Sequence, residues 1–173
     1  ISTEEANTRL EFGFIGTWSN SSDPWHENAY NRLFEFQDLW NADMNHVARN
    51  GAHFLSGLRD GSTGGVAYVD GLCATEWAYG LSSFIDGFFP YPLQDNHEDN
   101  WDFMVVAHEL GHNFGAPHTH SSEFNPRIDN CGNGNCGDAH LGTIMSYCHT
   151  CSGGMANIEL TLHPRIISEQ IMP

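Results

Sequence analysis

The chain of 173 residues contains no lysine, and its six basic side chains, all arginine, stand against 22 carboxylates, for a net charge of −16. A basic face able to neutralise phosphates is therefore missing, which excludes nucleic acid as a partner. No apolar run approaches the ~20 residues of a helical membrane span. Neither repeats nor linker-like stretches interrupt the sequence, so one domain over residues 1–173 is expected, large enough to bury a core of its own. A processed mature product is expected, since the chain opens without a recognisable signal-peptide pattern. A lysine-free acidic surface suits a salty extracellular milieu. The five cysteines are few but clustered: Cys131, Cys136, Cys148 and Cys151 fall in one loop-rich stretch, and Cys73 stands apart. In an exported protein the four read as two disulfides. Spacing does not fix their connectivity; the nested pairing, Cys131 with Cys151 and Cys136 with Cys148, is the preferred expectation. The rival is a second zinc site using the C-x-x-C at Cys148 and Cys151. Cys73 is left as a buried free thiol or the partner of a segment outside this chain.

What the sequence does have is HELGHNFGAPH at residues 108–118. His108 and His112 are four apart, so on a helix both imidazoles leave one face, one turn above the other. Gly115 lets the backbone leave the helix through a left-handed conformation, Pro117 prevents the helix from resuming, and His118 can swing back as a third ligand. Three imidazoles leave one tetrahedral position for water, the arrangement of a catalytic rather than a structural zinc. Glu109 points about 100° around the helix from His108, beside the ion, where a general base belongs. With this composition the full pattern arises by chance with a probability on the order of 10⁻⁴.

This motif, with GTIMSYC following at residues 142–148, resembles the metzincin clan of zinc metalloendopeptidases, in which the long zinc motif is followed by a Met-turn. The stretch from Arg49 to Cys73 is most similar to the adamalysin or reprolysin type, in particular its bacterial secreted relatives. Two positions depart from that type. Thr119 stands where adamalysins carry Asp, and Ser146-Tyr147 after Met145 is similar to astacins and serralysins. The resemblance implies an α/β (α+β, zincin-like) fold: a mixed twisted sheet, a long backing helix and an active-site helix, with the cleft above a smaller irregular C-terminal subdomain. Residues 1–118 would form the upper subdomain, without the strand and helix that begin the family's domain, and residues 119–173 the lower one.

The resemblance also implies an activity, the hydrolysis of internal peptide bonds in extended protein or peptide substrates by Glu109-assisted attack of a zinc-bound water. Met145 would form an apolar floor under His108, His112 and His118. Gly64, Gly65, Val66 and Ala67 would line the cleft as an edge strand to which substrate adds. Residues 148–158 would wall the pocket for the residue after the cut, expected to be apolar. Tyr147 is either a zinc ligand that swings away to stabilise the oxyanion or a plain core residue. A secreted monomer is expected, made as a zymogen and held by a propeptide or inhibitor. Two other functional classes compete: a zinc-stabilised binding or adhesion module without activity, and a nonproteolytic zinc hydrolase. The first would be expected to lack Glu109, and the second has no need of Gly115, His118 or Met145.

Along the chain, residues 9–18 read as a strand. Asp23-Pro24 reads as the start of a long helix whose apolar stripe, Tyr30, Leu33, Phe34, Phe36, Leu39, Trp40, Met44 and Val47, ends near Asn50-Gly51. Residues 52–55 read as a short buried strand, residues 64–70 and 79–84 as further strands, and residues 86–100 as a loop. The active-site helix is expected over residues 101–114, capped by Asp99 or Asn100, with Phe103, Val106, Ala107, Leu110 and Phe114 toward the core and Met104 and Val105 toward the cleft. Residues 158–162 read as extended and 163–171 as a final helix. Asn20-Ser21-Ser22 is formally a glycosylation sequon, without weight in a bacterial-looking chain. The acidic runs 95–102 and 129–138 are weak candidates for calcium, and His120, His140 and His149 are spare imidazoles near the zinc site.

Overall fold

The computed structural model describes residues 8–18, 25, 28–59 and 63–172. Its first helix, α1 (Ala29–Asp43), starts where Asn28 Oδ1 accepts from the backbone N–H groups of Tyr30 and Asn31. That cap lies inside the expected start; Asp23-Pro24 falls outside the described residues. The helix also stops early, after Asp43, and beyond it the Arg49 guanidinium donates to the carbonyls of Met44 and Val47. Leu33, Phe36 and Trp40 are buried as their spacing implies, but Tyr30 and Phe34 face outward, so the apolar stripe is narrower than expected.

A small mixed sheet lies against α1. Strand β1 (Ala52–Leu55) runs parallel to β3 (Tyr79–Ser82), and β2 (Gly65–Ala67) pairs antiparallel with β3, giving the order β1-β3-β2. Only the central β3 is buried at every position; β1 is half-buried and Leu55 exposed, against the expected buried strand. Phe36 of α1 stacks on Phe54 at 5.3 Å and meets Tyr79 edge-on at 5.9 Å, which fixes the helix on the sheet. Residues 9–18 form no strand: the extended run carries no ladder partner among the described residues, and its side chains are exposed apart from contacts such as Phe14 on Trp40. Propensity without a neighbouring strand does not make a sheet.

Helix α2 (Trp101–Asn113) is pinned to the sheet at both ends. Trp101 Nε1 donates to the Ser83 carbonyl, and Asn113 Nδ2 donates to the carbonyls of Tyr68 and Tyr79. Asn100 is the N-cap residue, but its side chain donates to the Gln94 carbonyl instead of capping. The buried face also differs from expectation. Met104, Val105 and Ala107 are buried, whereas Phe103, Val106, Leu110 and Phe114 are only half-buried, because both the sheet and the C-terminal region cover the side that carries the histidines.

Below α2, Ala107, Phe124, Ile144, Met145, Leu162 and Ile166 form one apolar cluster, and Met104, Ile158 and the cystines form another. The disulfides are Cys131–Cys148 and Cys136–Cys151, not the nested pairing. The two cysteine-bearing segments lie side by side in the same order, so the first pairs with the third and the second with the fourth. Both sulfurs of the C-x-x-C are consumed, which removes the second zinc site. Cys73 is a free thiol and exposed rather than buried. Residues 158–162, read as extended, carry a single bridge, Gly142 to Ile158, and the final helix is one α turn, α3 (Pro164–Ile166), continued by a wider π turn over Ile167–Ile171. No helix among the described residues is long and apolar enough to cross a membrane.

The sheet carries a pH-sensitive group away from the candidate site. His53 Nε2 lies 2.9 Å from Ser82 Oγ, its Nδ1 has no partner among the described residues, and burial depresses its pKa to about 4. The unfolded imidazole therefore binds its proton first as pH falls below 6.5, and the folded state loses stability down to about pH 4, where the loss levels off. Urea titrations of the metal-free protein across this range are expected to show about 1–3 kcal/mol less acid destabilisation for His53→Gln than for the wild type.

Candidate metal centre

Three imidazoles converge where α2 meets the segment that follows it. His108 and His112 project from one face of α2. Gly115 then adopts φ +90°, and the N–H groups of Gly115 and Ala116 turn back onto the carbonyls of His112 and Gly111. The returning chain brings His118 Nε2 to 3.1 Å from His112 Nε2 and 3.1 Å from His108 Nε2. The three side chains form a group able to hold a metal ion.

The hydrogen bonds around the rings say which kind of group fits. His108 Nδ1 lies 2.7 Å from the Ile144 carbonyl, and His112 Nδ1 lies 2.7 Å from the Ala116 carbonyl. A carbonyl oxygen has no proton to give, so each Nδ1 is the donor and each neutral ring keeps the lone pair on Nε2. Two of the three converging nitrogens thus present lone pairs, and a single proton on the third could satisfy only one of them. Burial, reinforced by the neighbouring imidazoles, holds His108 well below the ordinary histidine range and takes His118 to about 3, and burial lowers His112 as well. Neutral, mutually repelling lone pairs at this spacing match a cation bound at ~2.0–2.1 Å in tetrahedral geometry, which places its nitrogens ~3.3–3.4 Å apart.

Glu109 lies beside this group, 4% exposed, and its Oε2 has no partner among the described residues. Burial raises its pKa to about 8. The carboxylate is held against the edge strand, and the fit leaves no room there: a Cβ on Gly65 would sit 2.3 Å from Glu109 Oε1. On the opposite side of α2 the helix is equally thin at Gly111, where a Cβ would sit 2.5 Å from Met145 Sδ. Met145 is fully buried, and its carbonyl accepts from the Thr119 N–H and approaches Thr119 Oγ1. Sequence reasoning gave Gly65 a place in the cleft but missed its contact with Glu109, and it assigned no role to Gly111 or Thr119. Gly111 sits inside the motif and is the only one of the three with a local signal. Of the other residues expected to line a cleft, Gly64, Val66 and Ala67 are half-buried at the outer edge of the sheet.

Tyr147 lies against the group, with ring centroids 4.5 Å from His118 and 6.0 Å from His108. Burial, with the Glu109 charge second, raises its pKa. His120 stacks on His118 at 5.0 Å with planes 9° apart, and His149 meets Tyr147 at 5.9 Å; His140 is exposed. Neither acidic run brings three carboxylates together among the described residues. Asp102 accepts from the N–H groups of Asp86 and Gly87, Asp95 from Leu160, and Asp129 from Cys131. The one other convergent group among the described residues, Asp129 with Cys131 and Cys148, has its sulfurs in a disulfide.

Similarity to known proteins agrees with this geometry. Disintegrin and metalloproteinase domain-containing protein 1 of Rattus norvegicus is 34% identical over 84 residues, covering 47% of this chain and 9% of that protein. The 1a protein of the same description from Mus musculus is 36% identical over 75 residues, covering 43% of this chain and 8% of its own length. The matched stretch therefore spans about a tenth of these curated relatives or less. A reprolysin model described as Metallo-peptidase family M12 matches residues 2–159, most of the chain, and on that match the protein belongs to metallo-peptidase family M12.

Proposed function

We propose that the chain is the catalytic domain of a zinc-dependent endopeptidase that cuts extended protein substrates. The carrying observation is the His118 Nε2 atom 3.1 Å from both His108 Nε2 and His112 Nε2, whose rings have their Nδ1 protons committed to carbonyls. His108, His112 and His118 would hold the zinc. When bound, zinc supplies a Lewis acid that polarises a carbonyl and acidifies a water. Glu109 is the general base: Oε2, without a hydrogen-bond partner among the described residues, takes a proton from the attacking water and passes it to the leaving amine. The Tyr147 hydroxyl donates to the developing oxyanion, and Met145 supports the imidazoles from below. The outer edge of β2, from Gly64 to Ala67, orders the substrate by strand addition and brings its scissile bond to Gly65, beside Glu109. Residues 1–173 act as one domain, with 1–118 above the cleft and 119–173 below it. The disulfides, the acidic surface and the relatives support a secreted protein; a monomer, made as a zymogen, of the bacterial type with its Met-Ser-Tyr turn is the reading that the sequence resemblance supports.

Degradation of an unstructured protein, abolished by a zinc chelator and restored by zinc, is the expected result. Turnover of small esters or amides with the protein left intact would instead identify a nonproteolytic hydrolase, and zinc binding without turnover a binding module. The contact at Gly65 gives a sharper expectation. Gly65→Val pushes the Glu109 carboxylate aside without touching a metal ligand, so kcat/KM is expected to fall about a hundredfold at unchanged zinc content, measured by peptide assay and metal analysis.

A further inference from the structure

A cavity of about 520 Å³ opens beside the metal centre, between the loop after β3 and the start of α2. One wall is aromatic. Phe84 and Trp101 face each other with centroids 6.1 Å apart, Phe88 stands at the rim, and His149 meets Trp101 at 5.7 Å. The remaining lining is charged and unbalanced. Arg59 is paired with Asp86 at 3.5 Å, which leaves Glu98 and Asp99 without a cationic counterpart in the cavity. Among the described residues, the ion-pair partner within reach of the Asp99 carboxylate is the His97 ring, at 3.7 Å.

Position ties this cavity to the reaction. Gly64 lines it, and the next residue, Gly65, abuts Glu109. Trp101 precedes His108 by seven positions on α2, which places it on nearly the same helix face, about 10 Å away. A substrate strand paired antiparallel to β2 runs from Ala67 toward Gly64. With its scissile bond beside Gly65, it delivers the residue immediately after the cut into the cavity.

Resting on the endopeptidase reading above, we propose that this cavity is a subsite for a cationic side chain, arginine or lysine, immediately after the scissile bond. The planar guanidinium or the lysine stem lies along Trp101 and Phe84, and the charge sits between Glu98 and Asp99. This differs from the apolar preference the sequence suggested, because the cavity is lined by carboxylates as well as rings. Both carboxylates are partly open to water, so the discrimination is modest, about tenfold.

The test uses the zinc-loaded chain and two peptides that differ only in arginine or norleucine after the cut, together with cleavage-site mapping in a peptide library. Expected are a roughly tenfold higher kcat/KM for the arginine peptide, reduced to within about twofold in Glu98→Gln/Asp99→Asn and kept in a control, Asp43→Asn/Asp138→Asn, that removes the same charge from exposed positions elsewhere. Binding of the two peptides to the Glu109→Gln variant, read by calorimetry, should show the same ranking without turnover. Cleavage with no preference for a cation, with an acidic or apolar preference, or with a cationic preference that survives the Glu98/Asp99 double change overturns the subsite and leaves the protease reading intact. Absence of any chelator-sensitive cleavage overturns both.

Discussion

Glu109→Gln is expected to lower peptide hydrolysis by about 10²- to 10⁴-fold, the range for loss of a general acid–base group, while zinc binding is retained. The amide matches the carboxylate in size, so it occupies the same slot against Gly65 and leaves α2 undisturbed. It cannot take a proton from water or return one to the leaving amine. None of the three converging imidazoles hydrogen-bonds to Glu109, and their Nδ1 anchors at Ile144 and Ala116 are unaffected. Single-turnover cleavage assays and metal analysis on the same preparation provide the check. A variant that cleaves at the wild-type rate would remove Glu109 from the mechanism, and one that loses its zinc would make the residue part of the metal site instead.

The second large effect is expected at His118. His118→Ala leaves two donors on a single helical turn, too few to close a tetrahedral site against solvent, and zinc affinity should fall at least a hundredfold. Activity should fall with it. Because a ligand that binds only the folded state stabilises it by mass action, the wild type should also lose thermal stability on chelation. The variant should show no such shift, since it has little metal to lose. Competition titrations with a chromophoric chelator and paired melting curves read both effects. Equal affinities in the two proteins would mean that the returning segment contributes no ligand, and the metal site would have to be sought elsewhere.

Features set by local geometry were legible in the sequence, and features set by distant partners were not. The four-residue spacing of His108 and His112 carries its own placement, since a helix imposes it, and the left-handed exit at Gly115 was readable from the glycine and the following proline. The M12 assignment agrees with the metzincin resemblance at the level of reprolysins. By contrast, residues 9–18 have the alternation and β-branched content of a strand but lack a neighbour to pair with. Asn28 starts α1 because its side chain reaches two N–H groups, a competition that propensity alone did not resolve. Cystine connectivity depends on the relative direction of two loop segments, which spacing does not encode. The Gly65 contact with Glu109 joins positions 44 apart, and nothing around Gly65 announces it.

The near-contact of backbone and side chain at Gly65 and at Gly111 has an evolutionary corollary. A library randomised at these two codons and selected for secreted activity should return glycine at both, whatever diversity survives at Val66 or Leu110 beside them. Drift in this lineage would then be channelled around two immovable points, one above the helix and one below it.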